Sequence, residues 1–131
     1  MKWDLSAQDL STLDCTIDKY AGFYNLSGSM NDEPYTKFSG LEKGGLKYSF
    51  KNLDTANPKA LIGDAVGLQE AEMTKIADTD TAIQLARTWG TDNSGIELYT
   101  IYKKTGFFSY SKSGEMFLLG AVANTGFGTC F

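Results

Sequence analysis

The sequence predicts one mainly β domain over residues 1–131, folded as an antiparallel β-barrel or β-sandwich of about 8–10 short strands with a short N-terminal helix. The first observation behind this prediction is the composition: eight Phe, seven Tyr, 14 Gly and only two Pro are typical of strands joined by tight turns. The second is a series of segments in which apolar and polar residues alternate. The third is the spacing of turn-forming residues, which recur about every 8–12 residues.

The N-terminal segment is predicted to form a short helix from Ser6 to Leu13. Ser6 is followed three residues later by Asp9, which resembles a capping box with Asp in place of the usual Glu. The apolar residues that would share one face of this helix are Leu5, Leu10, Leu13 and Ile17. We expect the helix to cover one end of the sheet.

In the first half of the chain, alternating side chains mark the strands. The alternation is clearest over residues 46–51, where Leu46, Tyr48 and Phe50 alternate with lysine and serine, so one face of this strand is expected to be buried. Residues 69–75 also suit a helical turn, which leaves two interpretations open for that segment. The strands predicted here are 20–26, 35–41, 46–51, 60–66 and 68–76.

The second half of the chain contains the clearest local unit, a β-hairpin. Residues 96–102 are rich in β-branched and aromatic side chains, 103–106 form a glycine-containing turn, and 107–112 return along the first strand. Because neighbouring residues of a strand point to opposite faces, one member of the pair Phe107 and Phe108 is expected to lie outside the core. The other strands predicted here are 81–89, 116–123 and a last strand that ends at Cys130.

The two cysteines, Cys15 and Cys130, lie near the two ends of the chain. An even count with one thiol near each terminus favours a disulfide, and two reduced thiols buried in the core are the alternative. Residues 1–5 lack the apolar segment of a signal peptide. Because the cysteine placement favours an oxidising compartment, we expect an exported protein, periplasmic or extracellular, whose leader is absent from this chain. A cytoplasmic protein is the alternative.

The charge of the chain limits its partners. Sixteen acidic and 12 basic residues give a formal charge of −4 at pH 7, and Arg87 is the only arginine. Nucleic-acid binding needs a basic face that neutralises phosphates, whereas the lysines here are scattered, so we expect no nucleic-acid partner. No apolar run approaches the roughly 20 residues of a transmembrane helix, so no membrane span is expected.

The chain contains no histidine, which removes several kinds of chemistry. Ser-His-Asp and Cys-His catalysis are ruled out, and the commonest transition-metal ligand is missing. A carboxylate-dependent hydrolase would have to use the pairs Glu70/Glu72 or Asp78/Asp80, which are more simply explained as part of a solvated acidic surface. No calcium loop and no glycine-rich nucleotide motif occurs. We therefore predict no catalytic residues, no metal and no cofactor.

A small set of residues is predicted to contact a ligand. On the strand 81–89, Arg87 shares a face with Trp89, and a cation beside an indole is suited to holding a ligand carboxylate. The alternative is an arginine at the rim, paired with a nearby Asp or Glu. The aromatic side chains either line a pocket or fill the core. The predicted ligand-contacting residues are Arg87, Trp89, Tyr48, Tyr99 and Tyr110.

The pattern of a short leading helix, many short strands and a cysteine near the end of the chain is similar to small lipocalin-like barrels. The resemblance concerns architecture, and no lipocalin motif carries residues over. With the many aromatic residues, it leads to the hypothesis of a non-enzymatic small binding protein that holds a small apolar or amphipathic ligand. The alternative is a protein-interaction factor, an inhibitor or a host- or defence-directed effector, that uses an exposed aromatic surface around residues 96–112. A carboxylate-dependent hydrolase ranks third.

Overall fold

The computed structural model describes residues 4–5, 10–25, 36–39, 45–63, 67–89, 94–116 and 120–131. In these residues the chain forms ten β-strands and no helix. The strands are β1 (Thr12–Asn25), β2 (Thr36–Ser39), β3 (Leu46–Lys51), β4 (Lys59–Gly63), β5 (Leu68–Glu72), β6 (Thr74–Asp78), β7 (Ala82–Trp89), β8 (Gly95–Tyr102), β9 (Phe107–Met116) and β10 (Gly120–Cys130).

The strands form a single antiparallel sheet in the order β5-β4-β3-β1-β10-β9-β8-β7-β6, and β2 also pairs with β1. Strand β1 joins two runs of sequential hairpins, β3 to β5 and β6 to β10. One edge of β1 runs along β10, while its other edge pairs first with β3 and then with β2. The inward side chains of Leu13, Cys15 and Ile17 on β1 belong to the core.

The sheet curls into a nearly closed barrel because its two end strands are consecutive in the chain. Only Met73 separates β5 from β6, and its side chain is buried. The Met73 N–H donates to the Pro58 carbonyl at 2.9 Å, and the Lys75 N–H donates to the Ala56 carbonyl at 2.9 Å. These bonds tie the start of β6 to the segment before β4. The mainly β antiparallel prediction is thus confirmed, with a barrel-like sheet as its form.

The predicted N-terminal helix is not seen. Residues 10 and 11 form a turn and Thr12 already begins β1, whereas residues 6–9 lie outside the described part of the chain. Leu13, Cys15 and Ile17 are all buried, so the inner face of this segment follows the period of a strand. Leu5 is nonetheless fully buried, and its N–H donates to the Lys103 carbonyl at 2.6 Å. Leu5 therefore contributes to covering the barrel end near the β8–β9 turn.

Aromatic side chains fill the barrel interior towards the same end. Five rings contact one another there, and the centroids of contacting pairs lie 5.3–6.4 Å apart. Such pairs contribute about 0.5–1.5 kcal/mol each beyond the burial of their area. The rings are those of Tyr48, Phe50, Tyr99, Phe108 and Tyr110. In the β8–β9 hairpin, Phe108 is fully buried and Phe107 is exposed, as the alternation predicted.

The predicted disulfide between Cys15 and Cys130 is confirmed. The two residues lie directly opposite each other on β1 and β10, and both side chains are buried. The bond joins positions 115 residues apart in the sequence. Disulfides of this kind are characteristic of proteins that fold in an oxidising, exported environment. In the described residues, no helix is long and apolar enough to cross a membrane.

Candidate functional site

The structure places all the residues predicted to contact a ligand on the inner side of the barrel. Tyr48, Tyr99 and Tyr110 belong to the buried aromatic core, where the Tyr99 ring stacks on Tyr110 at 5.9 Å and meets the edge of Tyr48 at 5.4 Å. Arg87 and Trp89 lie further along β7, at the end of the interior away from the β8–β9 turn. The structure thus groups these residues, and their role towards a ligand stays a prediction.

A row of polar side chains crosses the interior at the level of Arg87. Arg87 lies directly opposite Glu97, Glu97 opposite Lys112, and Lys112 opposite Asn124. These four residues come from β7, β8, β9 and β10 and face inwards, and we call them the polar row. The row lies next to the aromatic core, because Glu97 and Tyr99 are neighbours on the inner face of β8.

Glu97 is the centre of the polar row. Its side chain is only 4% exposed, yet it accepts hydrogen bonds from Arg87 Nε at 2.7 Å and Arg87 Nη2 at 3.2 Å. The Tyr99 hydroxyl donates to the same carboxylate, and Lys112 Nζ lies 3.7 Å from Glu97 Oε1. A buried carboxylate needs such partners, because an unpaired charge in the interior is costly.

Glu97 and Arg87 of the polar row stabilise each other's charged form. Burial would raise the pKa of Glu97, but the hydrogen bonds from Arg87 and Tyr99 outweigh it, so its pKa lies below the ordinary value. Burial raises the pKa of Tyr99, so this hydroxyl keeps its proton and remains a donor to Glu97. Burial would lower the pKa of Arg87, but Glu97 outweighs this and the pKa is raised. At neutral pH the row therefore holds an ionised carboxylate and a guanidinium cation.

Trp89 packs beside the polar row on a surface made by two glycines. A Cβ atom added to Gly95 would lie 2.6 Å from the indole, and one added to Gly114 would lie 2.9 Å from it. On the indole, Lys112 Nζ lies 4.1 Å from the ring centroid, which is a cation–π contact. Trp89 Nε1 and Asn124 Oδ1 are buried without a hydrogen-bond partner, and no other side-chain N or O atom in the described residues shares this state.

The Gly95→Ala substitution is expected to displace the Trp89 indole and to lower the free energy of unfolding by about 1–3 kcal/mol, because the added methyl overlaps the ring. In a Trp3→Phe background, Trp89 is the only tryptophan, and its emission should shift to longer wavelength as the ring becomes more exposed. The control is Thr88→Ala on the exposed outer face of β7. Unchanged emission and stability in the Gly95→Ala variant would contradict this packing.

A second candidate site is a groove of about 360 Å³ on the outer face of β6 to β10, which we call the outer groove. Four large apolar residues that line it are 40–61% exposed: Ile76, Leu98, Tyr102 and Phe127. The buried residues Leu85, Tyr99 and Tyr110 also border it. Its hydroxyl and amide residues are Gln84, Thr100, Ser109, Ser111 and Thr125. Among the described residues, no charged side chain lines the groove. The outer groove is thus suited to an uncharged ligand with apolar and polar parts.

The carboxylate pairs of the hydrolase hypothesis lie on the surface. Glu70 and Glu72 share the outer face of β5, and both lie near Lys59 Nζ, at 3.9 and 3.8 Å. Asp78 contacts Lys103 Nζ at 2.7 Å and Lys75 Nζ at 3.0 Å. The hydrogen bond from Lys103 lowers the pKa of Asp78 most, although partial burial opposes it. Lys59 makes exposed ion pairs with Glu70 and Glu72, whereas Asp78 pairs with two lysines whose side chains are largely covered.

Sequence reasoning missed three members of the polar row: Glu97, Lys112 and Asn124. A signal for Glu97 was present, because alternation along β8 places it on the same face as Tyr99 and Ile101. An acidic residue at an inward position next to an inward arginine on the preceding strand predicts a buried ion pair. Lys112 and Asn124 follow from the same alternation on β9 and β10.

The described residues contain no group of three or more His, Cys, Asp or Glu side chains arranged to hold a metal ion. The interior around the polar row and the outer groove are the two candidate sites, each defined by its geometry. No protein-family model, no curated protein and no solved structure matches this chain.

Proposed function

We propose that this chain is a non-enzymatic binding protein that holds a small, uncharged amphipathic ligand in its outer groove. The observation that supports the proposal is the grouping of four partly exposed apolar residues with hydroxyl and amide groups in one concavity of about 360 Å³. Small-molecule sites are typically concave and mainly apolar, with a few polar groups that orient the ligand. The volume is within the usual range for such sites.

The groove supplies both kinds of contact that an amphipathic ligand needs. Covering side chains such as Leu98 and Phe127, which are 40% and 61% exposed, contributes roughly 1 kcal/mol each through burial of apolar surface. The Ser and Thr hydroxyls can accept hydrogen bonds from hydroxyl or amide groups on the ligand, although Thr125 Oγ1 already donates its own proton to the Tyr110 carbonyl at 3.1 Å. A charged ligand would find no ionic partner among the described lining residues.

We also propose that the fold is lipocalin-like and that the protein is exported. The two runs of sequential antiparallel hairpins, β3 to β5 and β6 to β10, follow the up-and-down pattern that lipocalin barrels use, and this supports a lipocalin-like fold. In such barrels the ligand lies inside, whereas here the aromatic core occupies much of the interior, which favours the outer face. The Cys15–Cys130 disulfide supports an exported, periplasmic or extracellular protein.

A protein partner is the second candidate, and a specific observation favours it. Beyond the outer groove, Ile96 and Phe107 are each 42% exposed on the β8–β9 hairpin. They extend the apolar surface along the hairpin, as expected for an interaction factor that uses residues 96–112. In this alternative a partner side chain occupies the groove.

The small-ligand proposal is tested with the neutral fluorescent probe N-phenyl-1-naphthylamine. Wild-type protein should bind the probe saturably, and Leu98→Ser should weaken binding about fivefold or more, because it removes an apolar wall of the groove. The matched control is Leu61→Ser, which alters an outward leucine of similar exposure, 38%, on β4. Equal binding by both variants, or no saturable binding by the wild type, would contradict the proposal.

A further inference from the structure

We propose that the barrel interior carries a second binding site, in which Lys112 and Trp89 hold a small oxyanion, a carboxylate or a phosphate group. The site lies on the inner side of the sheet, separate from the outer groove. It also includes the neighbouring polar side chains of Arg87 and Asn124. Charge, hydrogen-bond capacity, unpartnered atoms and access each support it.

The polar row carries an excess of positive charge. Arg87 and Lys112 bring two cations to the polar row, and Glu97 is the only acidic residue that pairs with either of them in the described part of the chain. The row thus carries one excess positive charge in an environment where solvent screens charges poorly. An oxyanion beside Lys112 would balance that charge.

The polar row has more hydrogen-bond donors than acceptors. Arg87 has five N–H groups, of which two donate to Glu97 in the structure. Lys112 has three, and its ammonium lies 3.7 Å from Glu97 and over the Trp89 ring at 4.1 Å. The Glu97 oxygens are already shared by Arg87, Tyr99 and Lys112. Donors therefore outnumber acceptors in the row, which is what an incoming oxyanion needs.

Two buried polar atoms at the polar row have no hydrogen-bond partner. Buried polar atoms nearly always have hydrogen-bond partners, so each exception calls for an explanation. The two exceptions in the described residues are Trp89 Nε1, whose ring contacts Lys112, and Asn124 Oδ1, whose residue lies opposite Lys112. The indole N–H can donate to an oxyanion, and the amide oxygen can accept from a hydroxyl on the same ligand. Both unpartnered atoms therefore belong to residues that neighbour Lys112.

The two cations of the polar row are partly exposed to solvent. The side chains of Arg87 and Lys112 are 18% and 26% exposed, whereas Glu97 is 4% exposed. A small anion can therefore reach the cations without unfolding the barrel, while the carboxylate that would repel it stays covered.

The test is a solution NMR titration that follows the indole N–H signals of the full chain. There are two such signals, from Trp3 and Trp89, and a Trp3→Phe variant assigns them. In a chloride-free buffer of low ionic strength, acetate, glycolate and inorganic phosphate are added separately, with ethylene glycol as the neutral probe. We expect a saturable shift of the Trp89 signal with the anions and none with ethylene glycol. A preference for glycolate over acetate would indicate the Asn124 contact, and the phosphate arm separates the two anion classes.

Variants distinguish this site from general attraction to a lysine. Lys112→Gln should weaken anion binding roughly tenfold, whereas Lys104→Gln, the same change at an exposed lysine of the β8–β9 turn, should leave it unchanged. Trp89→Phe keeps an aromatic ring but removes the N–H, and it should also weaken binding when read from the backbone amide of Lys112. The absence of a saturable shift with every anion, or equal losses in the two lysine variants, would overturn the proposal.

Discussion

Replacing Cys15 and Cys130 with alanine is expected to lower the free energy of unfolding by about 4 kcal/mol. The bond closes a loop between residues 115 positions apart, and in the chain-entropy treatment the stabilisation grows with loop length. The two cysteines also hold β1 against β10, the contact on which the joining of the two runs of hairpins depends. Equilibrium denaturation in urea, followed by circular dichroism, measures the loss.

The cross-link must be separated from the packing of the two sulfur atoms, because both cysteines are almost fully buried. The control is wild-type protein whose disulfide has been reduced, which keeps the sulfur atoms and removes only the bond. We expect reduced wild type and the double alanine variant both to unfold at much lower urea than the oxidised protein. If oxidised wild type and the alanine variant unfold at the same urea concentration, the bond does not carry this stability.

The strands were predictable where one face is buried and the other meets solvent, as in β3 and β8, because alternation then reports directly on burial. The segment 68–76 was harder, since the chain turns a corner at Met73 and one predicted element is in fact β5 and β6. A helix was predicted for the N-terminal segment because its apolar residues, spaced three or more positions apart, also fit the apolar face of a helix. The pairing of residues 12–17 with β3, with Leu13 opposite Phe50, shows that this part of the segment belongs to the sheet.

The two candidate sites depend on which strands become neighbours, and sequence spacing carries little of that information. Arg87 and Glu97 meet because β7 and β8 pair in one register, and a shift by a single residue would have turned Glu97 to solvent. The outer groove needs the curvature of the sheet as well. Ile76 on β6 and Phe127 on β10 border one concavity although 51 positions separate them in the numbering. Alternation within each strand predicts which face of the sheet Ile76 and Phe127 lie on, but it does not predict that they lie close together.

Replacing Glu97 with glutamine is expected to lower the free energy of unfolding by about 3–5 kcal/mol at pH 7. The substitution keeps the shape of the side chain but leaves Arg87 and Lys112 as partly buried cations without their shared counter-ion. It also replaces the carboxylate that accepts the Tyr99 hydrogen bond. The measurement is urea denaturation at pH 7, with Glu72→Gln as the control. Because the Glu72 side chain is 80% exposed, its change should cost less than about 0.5 kcal/mol.

The effect of Glu97→Gln should also depend on pH in a defined direction. The fold lowers the pKa of Glu97 below its ordinary value of 4.5, so the stability that its ionised form contributes is complete above that value and is lost as the pH falls through the lower, folded-state pKa. The difference in stability between wild type and the variant should therefore be largest near neutral pH and should shrink below pH 4.5. The double variant Arg87→Met, Glu97→Gln should lose less than Glu97→Gln alone, because it removes Arg87 together with its counter-ion and keeps an acceptor for the Tyr99 hydroxyl. A difference that stays constant from pH 7 to pH 3 would show that the ionised Glu97 carboxylate is not what stabilises the polar row.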